Sequence, residues 1–288
     1  MMSHPLAGYC ALLATVITTS GCAALWPFGA REDNNPPLQR VLAVDATQEE
    51  ILSHLNNERA RLNGWRSTDV RVAARGEGIV APKLSARLSV ETPRNLRMMA
   101  SSLRGEEVDF GSNDDRFWFW MRASRPKYML TGSHDGLAQQ PSMPLPFPPS
   151  WLMEALGVIP IDPRGIQMLR PDGNKDQVQL ISAEYLQGQR MQRIMVVDLH
   201  LGQITEHALY DASENLVASA SMSEFKPSPA GVTLPHQIEL HWPSQGTELT
   251  LEIGSIEVNP QMPEATWQPA RYPGYRIVDL DYELSRRQ

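Results

Sequence analysis

The side chains that could carry acid–base or metal chemistry are scattered along this sequence. His134 and Asp135 stand together in a stretch rich in Pro and Gly, where a solvated turn is favoured over a catalytic pair. His200 and His207 have no cysteine or second histidine at the spacing that a zinc site needs. His236 interrupts the apolar face of a predicted strand, which favours a hydrogen-bonded core histidine over contact with a ligand head group.

The carboxylates give no clearer site. Asp279, Asp281 and Glu283 alternate along one predicted strand face and could bind a cation, but a solvated face is the favoured interpretation. The sequence contains no G-x-S-x-G motif and no P-loop. We therefore expect no enzyme activity, no cofactor and no metal. A hydrolase whose site is assembled from distant residues is the third of three hypotheses.

The cysteines and the charge exclude several classes of protein. Cys10 and Cys22 are the only cysteines, so the rest of the chain has neither a disulfide nor a thiolate metal site. The 288 residues carry a formal net charge of −7 without a basic patch, which argues against a nucleic-acid partner. Hydrophobic residues make up 42%, as in chains that bury a core. We expect a monomer.

The first 21 residues have the pattern of an export signal. They contain no Asp, Glu, Lys or Arg, and their central apolar run is too short for a comfortable transmembrane helix. The run ends in Thr19-Ser20-Gly21-Cys22, which resembles a bacterial lipobox. We therefore predict a signal peptide, cleavage between Gly21 and Cys22, and lipidation of Cys22. An ordinary secretory signal or a short membrane anchor is the alternative.

The residues after Cys22 predict a tether and then a folded domain. Residues 22–46 contain the polar stretch Arg31-Glu32-Asp33-Asn34-Asn35-Pro36-Pro37, which is typical of a linker. The predicted domain occupies residues 47–288. Acyl chains on Cys22 would hold the protein on a membrane, since each buried methylene contributes about 0.8 kcal/mol.

A unit of three consecutive strands stands out at residues 94–122. Its last strand alternates between phenylalanine and tryptophan: Phe117-Trp118-Phe119-Trp120-Met121. Since successive side chains of a strand point to opposite faces, this strand is apolar on both. It needs cover on both faces, from a second layer, a lid or a ligand.

Two helices accompany the predicted strands. A helix over 47–62 opens with a capping box at Thr47 and Glu50 and carries an apolar stripe that predicts core packing. Residues 132–149 contain five prolines and predict a loop. The short apolar helix that follows, at 151–156, is either a plug or lid on an open sheet or a helix fixed in the core.

The second half of the chain predicts a meander of antiparallel strands. These strands lie between residues 177 and 258, and residues 275–284 predict a last strand. The apolar alternation shifts by one residue at Gly254-Ser255, where we predict a β-bulge. Since no βαβ spacing is present, the sequence predicts a mainly β fold with a few helices (α+β), built on a single curved antiparallel sheet.

This arrangement resembles a known family. The lipobox, the first amphipathic helix and the long meander interrupted by a Pro-rich helix resemble the bacterial LolA/LolB lipoprotein carriers. Residues 93–121 are similar to the corresponding stretch of LolB-like lipoproteins. The resemblance implies an unclosed β-barrel covered by helices, whose concave apolar face takes acyl chains. It also implies an outer-membrane lipoprotein that faces the periplasm.

These observations lead to a prediction of function. We predict a membrane-anchored protein that binds lipid acyl chains or lipoproteins and takes part in lipid or lipoprotein transfer. The residues expected on its apolar wall are Leu96, Met98, Phe117 and Phe119, and those expected on a mobile cover are Trp151 and Leu152. The alternative is a non-catalytic envelope scaffold with a filled barrel that binds a protein partner.

Overall fold

The computed structural model describes residues 40–76, 79–80, 83–138, 149–186 and 189–285. The predicted signal peptide, its cleavage site and the lipidation of Cys22 lie outside these residues and remain predictions. In the described ranges, no helix combines the length and the apolar character needed to cross a membrane.

Strands make up most of the described chain. The four helices of the described residues are α1 (Gln48–Arg59), α2 (His134–Ala138), α3 (Pro149–Ala155) and α4 (Leu280–Ser285). The strands are β1 (Gly64–Gly76), β2 (Ile79–Val80), β3 (Leu84–Glu91), β4 (Asn95–Ser102), β5 (Gly105–Ser112), β6 (Arg116–Met121), β7 (Tyr128–Ser133), β8 (Gln167–Leu169), β9 (Gln177–Leu186), β10 (Gln189–Asp198), β11 (Gln203–Tyr210), β12 (Leu216–Ser223), β13 (Lys226–Pro227), β14 (Thr233–Leu234), β15 (Gln237–Trp242), β16 (Thr247–Ile253), β17 (Glu257–Val258) and β18 (Arg276–Asp279). Two 3-10 turns occupy Pro243–Gln245 and Glu264–Trp267.

One large sheet contains sixteen of the described strands, and its two end strands do not pair with each other. Its order is β18-β7-β6-β5-β4-β3-β1-β16-β15-β12-β11-β10-β9-β8, with β2 and β17 also paired to β1. The prediction of a single curved, unclosed sheet is confirmed. The sheet is antiparallel except at one end, where β18 runs parallel to β7. This correction arises because the C-terminal segment crosses the outside of the sheet before it reaches β7.

Helix α1 forms as its sequence predicts. The hydroxyl of Thr47 accepts a hydrogen bond from the backbone N–H of Glu50 at 3.3 Å, and Glu50 accepts one from the N–H of Thr47 at 2.7 Å. The buried side chains of α1 are Ile51, Leu52 and Leu55. Asn56 exchanges two hydrogen bonds with the backbone of Ile161, at 2.9 and 2.8 Å, which fixes α1 against the segment before β8.

The inner face of the sheet is covered by α1 and α3. One hydrophobic cluster combines these helices with inward side chains of β1, β3–β7, β9–β12, β15 and β16. Leu42 and Ala46 belong to the same cluster, and the N–H of Leu42 donates to the carbonyl oxygen of Leu199 at 3.0 Å. Leu42 and Ala46, which the sequence places in the tether, therefore pack onto the sheet.

The outer face of β6 has a cover of its own. Trp118 and Trp120 are only 0% and 3% exposed. The ring of Tyr272 stacks on that of Trp120 with the ring centres 3.7 Å apart, and Trp267 is also buried. The C-terminal segment, residues 259–279, is thus a second layer over this face. The prediction that β6 needs cover on both faces is confirmed.

A buried polar group lies under this second layer. Asp109 is 0% exposed, and its carboxylate accepts hydrogen bonds from Arg97 at 3.2 and 2.9 Å. The indole N–H of Trp118 donates to it at 3.1 Å and the hydroxyl of Tyr272 at 2.7 Å. Burial and the nearby Asp109 carboxylate raise the pKa of Tyr272 well above its ordinary value. We call these four residues the outer cluster; each carboxylate oxygen has two donors.

The last predicted strand is shorter than expected. It ends at Asp279, because the carboxylate of Asp279 accepts a hydrogen bond from the N–H of Asp281 at 3.0 Å and so caps α4. The carboxylate of Asp281 accepts from the N–H and the hydroxyl of Ser133 at 2.8 and 2.9 Å. The carboxylates of Asp279 and Asp281 therefore do not share a strand face, which removes the basis for a cation site there.

Helix α2 lies where the sequence predicts a loop. It follows β7 directly, and the hydroxyl of Ser133 accepts a hydrogen bond from the N–H of Gly136 at 2.9 Å. The ring Nε2 of half-buried His134 lies 2.8 Å from the carbonyl oxygen of Asn113. His134 therefore ties α2 to the turn between β5 and β6, which is a structural role. The remaining residues of the predicted loop, 139–148, lie outside the described ranges.

Candidate functional site

The predicted wall residues lie on the inner face of adjacent strands. Leu96, Met98 and Phe117 are 7% exposed or less. Phe119 is half-buried and packs against the same core, with its ring 6.4 Å from that of Phe110 in an edge arrangement. Because β4, β5 and β6 are neighbours in the sheet, these side chains form one continuous apolar surface. Their contact with a ligand remains a prediction.

Helix α3 carries the two predicted cover residues and belongs to the core. Its buried side chains are Trp151, Leu152, Met153 and Ala155. Gly157, at φ +79°, ends the helix with Schellman hydrogen bonds, which require the left-handed conformation that glycine adopts easily. The indole N–H of Trp65 donates to the carbonyl oxygen of Leu156 at 3.2 Å. α3 is thus held inside the curved sheet and attached to β1.

A small cavity lies beside α3. Its volume is about 60 Å³, enough for a few water molecules and well below the roughly 300 Å³ at which most ligand pockets begin. Side chains of α1, α3, β10, β11 and β12 line it, and the six predicted ligand-binding residues do not. The charged residues in its wall are Glu58, Arg59, Glu154 and Arg193.

Four residues at this cavity form a second buried polar group, which we call the inner cluster: Arg59, Glu154, Arg193 and His207. Arg193 donates to the carboxylate of Glu154 at 2.7 Å. His207 is 2% exposed, and its Nε2 lies 3.7 Å from the Glu154 carboxylate, too far for a hydrogen bond. Neither this Nε2 nor the Nε of Arg59 has a hydrogen-bond partner among the described residues.

Burial sets the protonation of the inner cluster. It lowers the pKa of His207 to about 3, and the charges of Arg193 and Arg59 act in the same direction, so His207 is neutral at pH 7. Burial raises the pKa of Glu154, against the opposing effect of Arg193. It lowers the pKa of Arg59 to about 10, which leaves the guanidinium charged at pH 7. In the wall of the cavity, His207 therefore presents a neutral imidazole and Arg59 a charged guanidinium.

The inner cluster is not among the sites predicted from the sequence, although the sequence contains a signal for it. Arg193 is in phase with Met191 and Met195, so a charge stands on the inward face of an apolar strand. Glu154 is the charged residue of an otherwise apolar helix. A charge in phase with an apolar face predicts a buried partner. The partner itself could not be named, because α1, α3, β10 and β11 are far apart in the chain.

The other candidate residues take structural roles. The Nδ1 of half-buried His236 lies 2.7 Å from the carbonyl oxygen of Ile253, as expected for a hydrogen-bonded core histidine. Throughout the ranges that the structure describes, no three His, Cys, Asp or Glu side chains are grouped so that they could hold a metal ion.

Comparisons with known proteins identify the fold. No protein-family model matches the sequence, and no curated protein matches it. Solved structures do. A LolA superfamily protein from Nitrosomonas europaea has 12% identity and a TM-score of 0.51, with 78% of this chain and 98% of that chain covered.

Two further structures agree. A putative outer membrane lipoprotein-sorting protein domain from Vibrio parahaemolyticus has 12% identity and a TM-score of 0.51, with 77% of this chain and 97% of that chain covered. A DUF1329 family protein from Desulfovibrio piger has 12% identity and a TM-score of 0.52, with 76% and 96% covered. Taken with the open order of the sheet and the helices on its inner face, these likenesses show that the chain has a LolA/LolB-like fold.

Proposed function

We propose that this protein is a lipoprotein of the bacterial envelope that binds one acyl chain of a lipid or lipoprotein on the inner face of its sheet. It is attached to the outer membrane through Cys22, faces the periplasm and has no catalytic role. Two observations support the proposal: the lipobox-like residues before Cys22, and a fold like that of a putative outer membrane lipoprotein-sorting domain.

The burial of α3 sets a condition for the proposed binding. An apolar helix inside the curved sheet takes up volume that an acyl chain would need, and the adjoining cavity of about 60 Å³ is too small for such a chain. Binding therefore requires α3 to withdraw. Each Å² of apolar surface removed from water contributes about 25 cal/mol for either occupant, so the apolar surface that the chain buries offsets part of what α3 exposes.

Variants of α3 and of the wall should change binding in opposite directions. Leu152→Ala weakens the packing of α3 and should tighten binding of a fluorescent fatty acid about tenfold, since the open state becomes easier to populate. Phe117→Ala removes part of the wall and should weaken binding. Met129→Ala is the matched control, because Met129 is 7% exposed but lies on the outer face beside Trp120. Titration of the chain beginning at Ala23 measures all three.

A second candidate function follows from the small volume of the cavity. If neither the unmodified protein nor Leu152→Ala binds the fatty acid saturably, acyl-chain binding is wrong. The filled interior would then favour an envelope scaffold that binds a protein partner through its surface.

The anchor has its own test. Cys22→Ser should abolish incorporation of a fatty-acid probe into the protein and move the protein from the membrane fraction to the soluble fraction. Cys10→Ser is the control and should leave both unchanged. A Cys22→Ser protein that still takes up the probe would show that another residue carries the lipid.

A further inference from the structure

The geometry points to a subsite for the carboxylate of a single-chain fatty acid in the cavity between α1 and α3, where Arg59 and His207 bind its oxygen atoms. This inference rests on the proposed function and specifies the ligand: an acid with a free carboxylate rather than an ester.

Two unpaired nitrogen atoms locate the subsite. His207 is 2% exposed and its Nε2 has no hydrogen-bond partner in the described part of the chain. The buried Nε of Arg59 has none there either. Both residues line the same cavity. Because a buried nitrogen without a partner is unfavourable, a ligand that brings acceptor oxygens to this point is favoured.

No carboxylate among the described residues is hydrogen-bonded to Arg59, although the charges of Glu154 and Glu58 are near enough to raise its pKa. Arg193 already binds Glu154 at 2.7 Å, which balances that carboxylate. The carboxylate of Glu58 accepts a hydrogen bond from Gln203 at 3.0 Å. The guanidinium of Arg59 offers a planar fork of donors that matches a carboxylate. The volume of about 60 Å³ suits a group of three heavy atoms and is too small for a glycerophosphate head.

The position of Trp151 gives the path of the chain. Its ring centre lies 5.5 Å from that of His207, so the Trp151 side chain packs beside a residue of the cavity wall. A carboxylate held by Arg59 and His207 directs its hydrocarbon chain toward the volume that Trp151 fills, and the apolar wall at Met195, Ile204 and Met222 continues from the cavity. Binding of the head group and withdrawal of α3 are thereby linked.

The test compares two ligands with the same hydrocarbon chain, one with a charged carboxylate and one with a neutral methyl ester. Radiolabelled hexadecanoic acid and its methyl ester are each equilibrated with the immobilised full-length protein in nonionic detergent, and retention on blank resin is subtracted. The unmodified protein should bind the acid about tenfold more tightly than the ester, as hydrogen bonds to a charged group do. Arg59→Gln should remove this preference, and Arg61→Gln, at an exposed arginine two residues away, should keep it.

The outcomes separate the two proposals. Equal binding of acid and ester by the unmodified protein overturns the subsite and leaves acyl-chain binding intact; this comparison needs no variant to fold. A preference for the acid that persists in both Arg59→Gln and His207→Gln also overturns it. Binding of neither ligand overturns the subsite and the proposed function together.

Discussion

The two faces of the curved sheet each bury charged side chains, but they satisfy them differently. In the outer cluster, the carboxylate of Asp109 receives four hydrogen bonds and is closed off by Tyr272. In the inner cluster, Glu154 and Arg193 are paired, yet His207 and Arg59 each keep a nitrogen without a partner in the described residues, beside a cavity.

This difference indicates different roles. A polar network with every group satisfied fixes one arrangement of the side chains around it, so the outer cluster locks the C-terminal layer onto the sheet. A network with unsatisfied groups is less favourable by itself and gains by binding something else. The inner cluster thus has the properties of a binding site, and the outer cluster those of a hydrogen-bond network that stabilises the fold.

The largest expected effect comes from removing the central carboxylate on each face. Asp109→Ala should lower the free energy of unfolding by about 3–5 kcal/mol, because it removes four hydrogen bonds and leaves the largely buried Arg97 without a carboxylate. Glu154→Ala should cost less than about 2 kcal/mol, since Arg193 keeps its bond to Ser182 and adjoins the cavity. Urea denaturation followed by tryptophan fluorescence measures both. Equal losses would remove the distinction between the two clusters.

The pH dependence of stability should be set in part by His207. Its pKa is about 3 in the folded protein and about 6.5 when unfolded, so below pH 6.5 the unfolded chain takes up a proton that the folded chain does not. This single group should therefore lower the free energy of unfolding by about 2 kcal/mol between pH 7 and pH 5. Glu154, with its raised pKa, acts with the opposite sign.

A pair of histidine variants isolates this effect. The stability of His207→Gln should change with pH about 2 kcal/mol less than that of the unmodified protein over the same interval. His200→Gln, outside the cluster, is the control. Identical pH profiles for the unmodified protein and His207→Gln would mean that His207 is not held neutral by its surroundings.

The smallest effect is expected from the tyrosines of the outer layer. Tyr272→Phe removes a hydrogen bond to the carboxylate of Asp109 and should cost about 2 kcal/mol. Tyr275→Phe is the matched control: its hydroxyl donates to the carbonyl oxygen of Arg122 at 2.8 Å, a neutral acceptor, and its loss should cost about 1 kcal/mol. If the two variants lose the same stability in urea denaturation, the charge of Asp109 contributes nothing to this network.

Features that depend on nearby residues could be predicted from the sequence. The alternation of Phe117, Trp118, Phe119 and Trp120 sorts side chains onto two faces because the strand period is two, and both faces are indeed covered. The capping box of α1 depends on residues three positions apart. The curved sheet follows from many such strands in succession, which is why the fold class could be predicted.

Features that depend on contacts between distant residues could not. The last strand gives way to α4 after Asp279, although the alternation continues through Tyr282, and α4 is held by hydrogen bonds between Asp281 and the distant Ser133. The prediction of a β-bulge at Gly254-Ser255 is wrong. The strand is interrupted between β16 and β17, but both pair with β1 in the same register. The register shift lies instead in β1, between Ser67 and Val70, where β1 pairs with β3. The inner cluster likewise joins residues from four separate elements.

The C-terminal layer also acts as a mechanical tie across half of the sheet. This layer starts in the middle of the sheet at β17, which pairs with β1, and ends at β18, which pairs with the strand β7. Between them, the backbone carbonyl oxygen of Trp267 accepts a hydrogen bond from the side chain of Asn113 at 3.0 Å. The curvature from β1 to β7 is therefore braced. Among the described residues no comparable segment crosses the outside of β8 to β12. We therefore expect the larger changes in sheet curvature in the half from β8 to β12, next to α3, and smaller changes in the half from β1 to β7.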